Sequence, residues 1–225
     1  MNNINKLWEE FLKDSREFHL NSFVTRGHFQ PDVWDRDLLR TEISEKLIDI
    51  VNDFMEFCGF DEGDYEDITL TGSLANYNWS RFSDVDIHII ADLSRIDENT
   101  ELVKEYFNAK RSLWNRTHEI KIYGFEVEMY VQDSKEPHIS TGVYSILNDE
   151  WIKKPEIVNP QIDFEGVRAK ASMLMDEIDR VHDLYDDEYY EEAVGYIDQL
   201  KEKIKNMRKT CLLYTSDAAD EEDSV

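Results

Sequence analysis

The stretch 68–91, ITLTGSLANYNWSRFSDVDIHIIA, constrains the fold of this chain more than any other. Two apolar, β-branched runs, 68–70 and 85–90, flank a polar loop, which predicts a strand, a glycine-containing loop and a second strand. Because successive side chains of a strand point to opposite faces, Asp84 and Asp86 share one face. Two carboxylates this close repel each other unless a cation lies between them, and no Lys or Arg adjoins them in sequence. The pair therefore predicts a divalent metal site.

The composition favours a folded domain and argues against some classes of partner. The chain has 225 residues, of which 41% are hydrophobic, so it can bury a sizeable core as one domain with a helical appendage. Its formal net charge is −25. A surface this acidic disfavours the binding of long nucleic acids or of an anionic membrane.

Cysteine content and hydropathy predict a cytoplasmic protein. Cys58 and Cys211 have neither a pairing motif nor the spacing of a metal site, which is typical of a reducing compartment. The N-terminus MNNINKLWEEFLKD lacks the apolar core of a signal peptide, and no apolar stretch is long enough to span a bilayer. We therefore expect no membrane partner.

Apolar residues at helical spacing predict helices on both sides of the opening stretch. The predicted helices cover 4–23, 39 to about 59, 99 to about 118, 163 to about 184 and 189 to about 207, with Asp163 as an N-cap. The predicted organisation is N-terminal helices over 1–60 that pack on a core over 61–155, followed by a helical hairpin over 156–210. The last segment, 211–225, is similar to a translated sequencing adapter, and we interpret it as a non-native tail.

A second pair of strands follows the third predicted helix. The segment HEIKIYGFEVEMYVQD predicts a β-hairpin about Tyr123-Gly124, and another strand is expected around 143–146. Glu126 and Glu128 share one strand face whose opposite face is apolar. They are either a solvent-facing polar row or the source of a third carboxylate for the aspartate pair.

The third predicted helix carries the densest basic run before the C-terminal helices. Its basic residues are Lys104, Lys110, Arg111 and Arg116. Two interpretations remain open at this point, a solvated helix face and a contact with substrate phosphates.

With these residues in place, LTGSLANYNWSRFSDVDIHII resembles the signature of the DNA polymerase beta-like nucleotidyltransferase superfamily. That signature is Gly-Ser, a loop, and then two aspartates separated by one apolar residue on the next strand, and VEMYVQD resembles the later strand that supplies a third acidic residue. The whole run is similar to small nucleotidyltransferases of tailed phages and bacteria. The resemblance covers roughly 68–131. It implies an α+β fold with a small mixed β-sheet flanked by helices, in a bacterial or phage-infected host cytosol.

The resemblance also implies roles for the acidic residues. Asp84 and Asp86 would hold two Mg²⁺ ions, or Mn²⁺, and Glu128 would be the third catalytic ligand, with Glu126 as the alternative on the same strand face. Two such ions neutralise a triphosphate and the charge that develops on the attacking and leaving oxygens. His88 shares the face of the aspartates and is expected to support the site or pack, not to bind metal.

Four further residues are implied as nucleotide contacts. Gly72 would let the backbone approach the phosphates, and Ser73 would donate hydrogen bonds to a phosphate at the N-terminus of a following helix. Asn78 and Ser83 would shape the loop around the nucleotide.

The implied reaction moves a nucleoside monophosphate from a nucleoside triphosphate, such as ATP, to an acceptor hydroxyl, with release of pyrophosphate. The acceptor would be an RNA end, a protein or a small molecule. The alternative is a catalytically silent nucleotide-binding or antitoxin-like regulatory protein of the same fold.

Overall fold

A computed structural model describes residues 24–61, 63–159 and 161–211, the side chains of 207–211 excepted. The helix predicted over 4–23 and nearly all of the tail lie outside the described residues. Helices and a mixed β-sheet are both present, so the predicted α+β class is confirmed. Residues Thr25–Val158 form one compact unit, and the two C-terminal helices belong to a second.

The core unit is built on a six-stranded sheet in the order β5-β6-β4-β3-β7-β8. Its strands are β3 (Asp67–Thr71), β4 (Val85–Ala91), β5 (Lys121–Ile122), β6 (Phe125–Asp133), β7 (Val143–Ser145) and β8 (Glu150–Lys153); β1 (Trp34–Asp35) and β2 (Leu38–Leu39) pair separately. Strands β4 and β6 are parallel, and the other neighbours in the sheet are antiparallel. The crossover between β4 and β6 contains a helix, as a parallel connection usually does.

The helices of the described residues are α1 (Thr41–Phe57), α2 (Thr100–Thr117), α3 (Phe164–Asp186) and α4 (Tyr190–Cys211), with a short 3-10 turn at Leu93–Arg95. Asn99 caps α2 by accepting a hydrogen bond from the Leu102 amide at 3.3 Å. Asp163 caps α3 as predicted, because its Oδ1 accepts from the Gly166 amide at 3.0 Å. None of the helices in the described part of the chain is long and apolar enough to cross a membrane.

The sheet has one apolar face and one polar face. Leu70, Ile87 and Met129 are register partners on β3, β4 and β6, and all three are buried in the hydrophobic core. That core also contains the apolar stripes of α1 and α2, including Phe54 and Trp114, whose rings meet edge to face. The alternation of β4 and β6 therefore leaves the acidic residues on the opposite face of the sheet.

Most predicted elements are confirmed, and the differences are local. Leu39 was expected to begin the second helix, but it lies in β2 as the partner of Trp34, and α1 begins at Thr41. The final helix continues to Cys211, four residues past its predicted end. No helix follows Ser73, since residues 72–77 form turns instead. The prediction that a helix N-terminus after Ser73 would bind a phosphate is therefore wrong.

Candidate active site

The register of three adjacent strands brings the predicted carboxylates together. Asp86 on β4 is the Cα partner of Thr71 on β3 and of Glu128 on β6. Neighbouring strands lie about 4.8 Å apart, and directly paired residues point to the same face of the sheet. Thr71, Asp86 and Glu128 therefore form a row across the centre of the sheet.

Asp84 lies at the entrance to β4. It precedes the first strand residue, Val85, and like Asp86 it is half-buried. A one-residue spacing in extended backbone puts both carboxylates on the polar face. The two aspartates thus stand one behind the other where the polar loop joins the strand.

Gly72 is shaped to the carboxylate of Asp86. A β-carbon at position 72 would lie 1.7 Å from Asp86 Oδ2, and Gly72 has a φ of +73°. Both the space and the left-handed backbone therefore favour glycine, because a β-carbon would displace the Asp86 carboxylate. The turn that leaves β3 approaches this carboxylate more closely than any residue with a side chain permits.

The two glutamates of β6 have different surroundings. Glu126 is the register partner of Lys121 on β5, and its Oε1 lies 3.1 Å from Lys121 Nζ. This hydrogen bond and the charge of Glu126 raise the pKa of Lys121. Glu128 lies beside Asp86 instead. This ion pair is exposed and therefore stabilises little, so the register distinguishes Glu128 from Glu126 better than the ion pair does.

A set of three serines joins the two ends of the polar loop. Ser73 Oγ donates to Ser83 Oγ at 2.6 Å, and the Ser80 amide donates to the same oxygen at 2.9 Å. Ser80 and Ser83 are buried, and Ser73 is half-buried. The hydroxyl of Ser83 thus fixes the turn after β3 to the turn before β4.

Residues upstream of α1 hold the outer part of the loop. The Arg26 amide and Nε donate to the carbonyls of Tyr77 and Trp79, each at 2.7 Å, and the guanidinium lies 4.1 Å from the Trp79 ring centroid. Trp34 Nε1 donates to the Leu74 carbonyl at 2.8 Å. These hydrogen bonds therefore hold the loop in place, although it contains no helix or strand.

Two asparagines of the loop differ in how their polar atoms are satisfied. Asn76 Nδ2 donates to Thr141 Oγ1 at 2.5 Å. Asn78 Oδ1 is buried and accepts no hydrogen bond from the described residues. An unsatisfied buried acceptor costs roughly 1–3 kcal/mol. A hydrogen bond from a buried water would remove that cost.

Two further residues of this face, His88 and Tyr130, make side-chain contacts. His88 is buried, and its Nδ1 lies 2.8 Å from Gln132 Oε1. Because an amide oxygen can only accept, Nδ1 carries the proton in this pair. The Arg111 guanidinium lies 5.7 Å from the ring centroid of Tyr130, two residues beyond Glu128 on β6. These contacts give His88 a packing partner and bring one cation of α2 to β6.

The donor chemistry of the row fits a hard divalent cation, because carboxylate oxygens are the ligands that Mg²⁺ prefers. Among the side chains described between 24 and 206, however, no group of three or more His, Cys, Asp or Glu is arranged to hold a metal ion. The backbone brings Asp84, Asp86 and Glu128 together, and rotation of their side chains would have to complete a coordination shell. Glu128 is exposed, and exposed side chains change rotamer in picoseconds to nanoseconds.

Sequence reasoning predicted that the carboxylates lie on one face, and it did not include Thr71 or Arg26, which the structure places beside Asp86 and the loop. Thr71 became a neighbour of Asp86 only through the antiparallel register of β3 and β4. Arg26 lies more than fifty residues from Trp79, and no local sequence pattern predicts their contact. For Thr71 there was a signal, since it immediately precedes the glycine turn.

Comparison with known proteins adds no relative to this description. No family model, curated protein or solved structure matches the chain. The geometry of the residues themselves is the basis for any functional assignment.

Proposed function

We propose that the protein is a Mg²⁺-dependent nucleotidyltransferase with a nucleotidyltransferase-type fold. The observation that carries this proposal is the register of Asp86 with Glu128, combined with the Gly72 turn packed against the Asp86 carboxylate. This arrangement puts a glycine-serine turn, an aspartate pair and a third carboxylate at one place on a mixed sheet. The motif resemblance supports the same reaction.

The acidic residues would act as ligands. Asp84 and Asp86 hold the divalent cations, and Glu128 is the third ligand, in preference to Glu126. When bound, Mg²⁺ neutralises the triphosphate and favours ionisation of the acceptor hydroxyl. The acceptor oxygen forms a bond to the α-phosphorus, the bond from that phosphorus to the β-phosphate oxygen breaks, pyrophosphate leaves, and the hydroxyl proton passes to solvent.

The loop residues would bind the nucleotide. Gly72 admits a phosphate close to the backbone, and Ser73 can turn its hydroxyl from Ser83 to a phosphate oxygen. Asn78 would shape the loop from within, because its Oδ1 is buried. Arg111 is the basic residue of α2 that reaches β6, so it is the member of that helix best placed to contact a phosphate.

The proposal is compatible with more than one class of acceptor. A net charge of −25 disfavours a long nucleic acid chain. A small molecule, a protein hydroxyl or the end of a short RNA is consistent with that charge.

Transfer is tested by incubating the protein with each α-labelled nucleoside triphosphate, Mg²⁺ or Mn²⁺, and total RNA or protein extract. We expect one triphosphate to label an acceptor and to release pyrophosphate. The double variant Asp84→Asn/Asp86→Asn should do neither while keeping its circular dichroism spectrum. Asp49→Asn/Asp53→Asn on the exposed face of α1 removes the same charge elsewhere and should retain activity.

Full activity of Asp84→Asn/Asp86→Asn would contradict the proposal. Nucleotide binding by the wild-type protein without any labelled product would instead identify the catalytically silent, regulatory alternative.

A further inference from the structure

A short turn at residues 80–83 presents an aromatic side chain to solvent directly before the aspartate pair. The Phe82 amide donates to Ser80 Oγ at 3.1 Å, and the Ser83 amide donates to the Ser80 carbonyl at 3.2 Å. These bonds close the turn around the buried Ser80. Phe82 at its tip is nevertheless 62% exposed. The backbone beneath this ring is fixed while the ring itself is left in water.

One face of the ring is occupied by a cation. The Arg81 guanidinium lies 4.6 Å from the Phe82 ring centroid. A guanidinium over an aromatic face is a favourable cation–π arrangement. The other face of the ring is the one open to a stacking partner.

The turn has a defined position relative to the proposed phosphate contacts. Phe82 is two residues from Asp84, so their Cα atoms are at most about 7 Å apart. Ser83, between them, receives the hydrogen bond from Ser73 at 2.6 Å. Phe82 is thus two residues from the aspartate pair along the backbone, and its neighbour Ser83 is hydrogen-bonded to the glycine-serine turn.

We propose that Phe82 is the stacking platform for the base of the nucleoside triphosphate, with Arg81 bracing the far side of the ring. This inference rests on the proposed function and adds to it a residue that binds the base. Every nucleobase has a π-face, so an exposed ring next to a phosphate site binds nucleotides with little selectivity between bases. The base of the triphosphate is favoured over that of a long acceptor because the chain carries a net charge of −25.

The platform is tested by calorimetric titration of the wild-type protein with each of four nucleoside triphosphates and with inorganic tripolyphosphate, all with Mg²⁺. Removing one base-stacking contact costs roughly 1–3 kcal/mol, so Phe82→Ala should weaken triphosphate binding at least about fivefold. Tripolyphosphate has no base, and its affinity should not change. Phe82→Trp should restore binding, and Phe82→Leu, which keeps apolar area without a π-system, should not.

A matched control is Tyr189→Ala, which removes an aromatic side chain that is 56% exposed in the turn between α3 and α4. It should leave both affinities unchanged.

Two failures are distinguishable. If Phe82→Ala binds nucleoside triphosphates as tightly as the wild type, the platform is overturned and the proposed function stands. If the wild-type protein binds neither nucleoside triphosphate nor tripolyphosphate with Mg²⁺, the proposed function fails, and the platform fails with it.

Discussion

Asp86 Oδ2 occupies the place that a β-carbon of residue 72 would take. At the residue scale this contact yields the sharpest prediction. Gly72→Ala should cost about 1–2 kcal/mol of unfolding free energy from the left-handed backbone, and the new methyl group should displace the Asp86 carboxylate. We expect Mg²⁺-dependent nucleotide binding to be lost, as measured by calorimetry, with stability followed by urea denaturation.

Gly124 provides the matched control for this variant. It has a φ of +88°, and a β-carbon there would meet no atom within 4 Å. Gly124→Ala should therefore carry a similar backbone cost with normal nucleotide binding. Equal binding by both alanine variants would show that the contact with Asp86 has no functional role.

At the same scale, strand alternation was enough to place Asp84 and Asp86 on one face, because this rule depends only on local backbone. It was not enough to find Thr71 or Arg26. Their roles follow from the strand register and from a contact across more than fifty residues. Ser73 was expected to face a phosphate, and the structure shows the hydroxyl of Ser83 as its present acceptor.

At the scale of elements, β6 distinguishes two glutamates that the sequence treats alike. We expect Glu128→Gln to lower transfer activity by at least the roughly 10- to 100-fold that loss of an outer-shell partner causes at metal sites. Glu126→Gln removes the same charge two residues away, where the partner is Lys121, and should retain activity. The measurement is the initial rate of pyrophosphate release. A larger loss in Glu126→Gln would assign the third carboxylate to Glu126.

Elements with strong local signals were predicted well. The Tyr123-Gly124 turn has positive φ at both residues, and it joins β5 to β6 as expected. By contrast, β1, β2 and β8 have two to four residues each, too few for a readable alternation. The helix expected after Ser73 is absent. Side chains and distant segments hold residues 72–83 in place, and local secondary-structure propensities do not predict such contacts.

At the scale of the whole molecule, the net charge determines whether removing carboxylates should strengthen or weaken triphosphate binding. The chain has a net charge of −25, and a nucleoside triphosphate is itself a polyanion, so the two repel each other unless a cation intervenes. If simple repulsion governed binding, removing two carboxylates would strengthen it. If the carboxylates bind Mg²⁺ and the cation binds the triphosphate, removing them abolishes binding.

The most direct measurement is calorimetric titration of the triphosphate, with and without Mg²⁺, into the wild-type protein and Asp84→Asn/Asp86→Asn. We expect binding by the wild type only when Mg²⁺ is present, and no binding by the variant under either condition. Binding by the variant that equals or exceeds that of the wild type would contradict it.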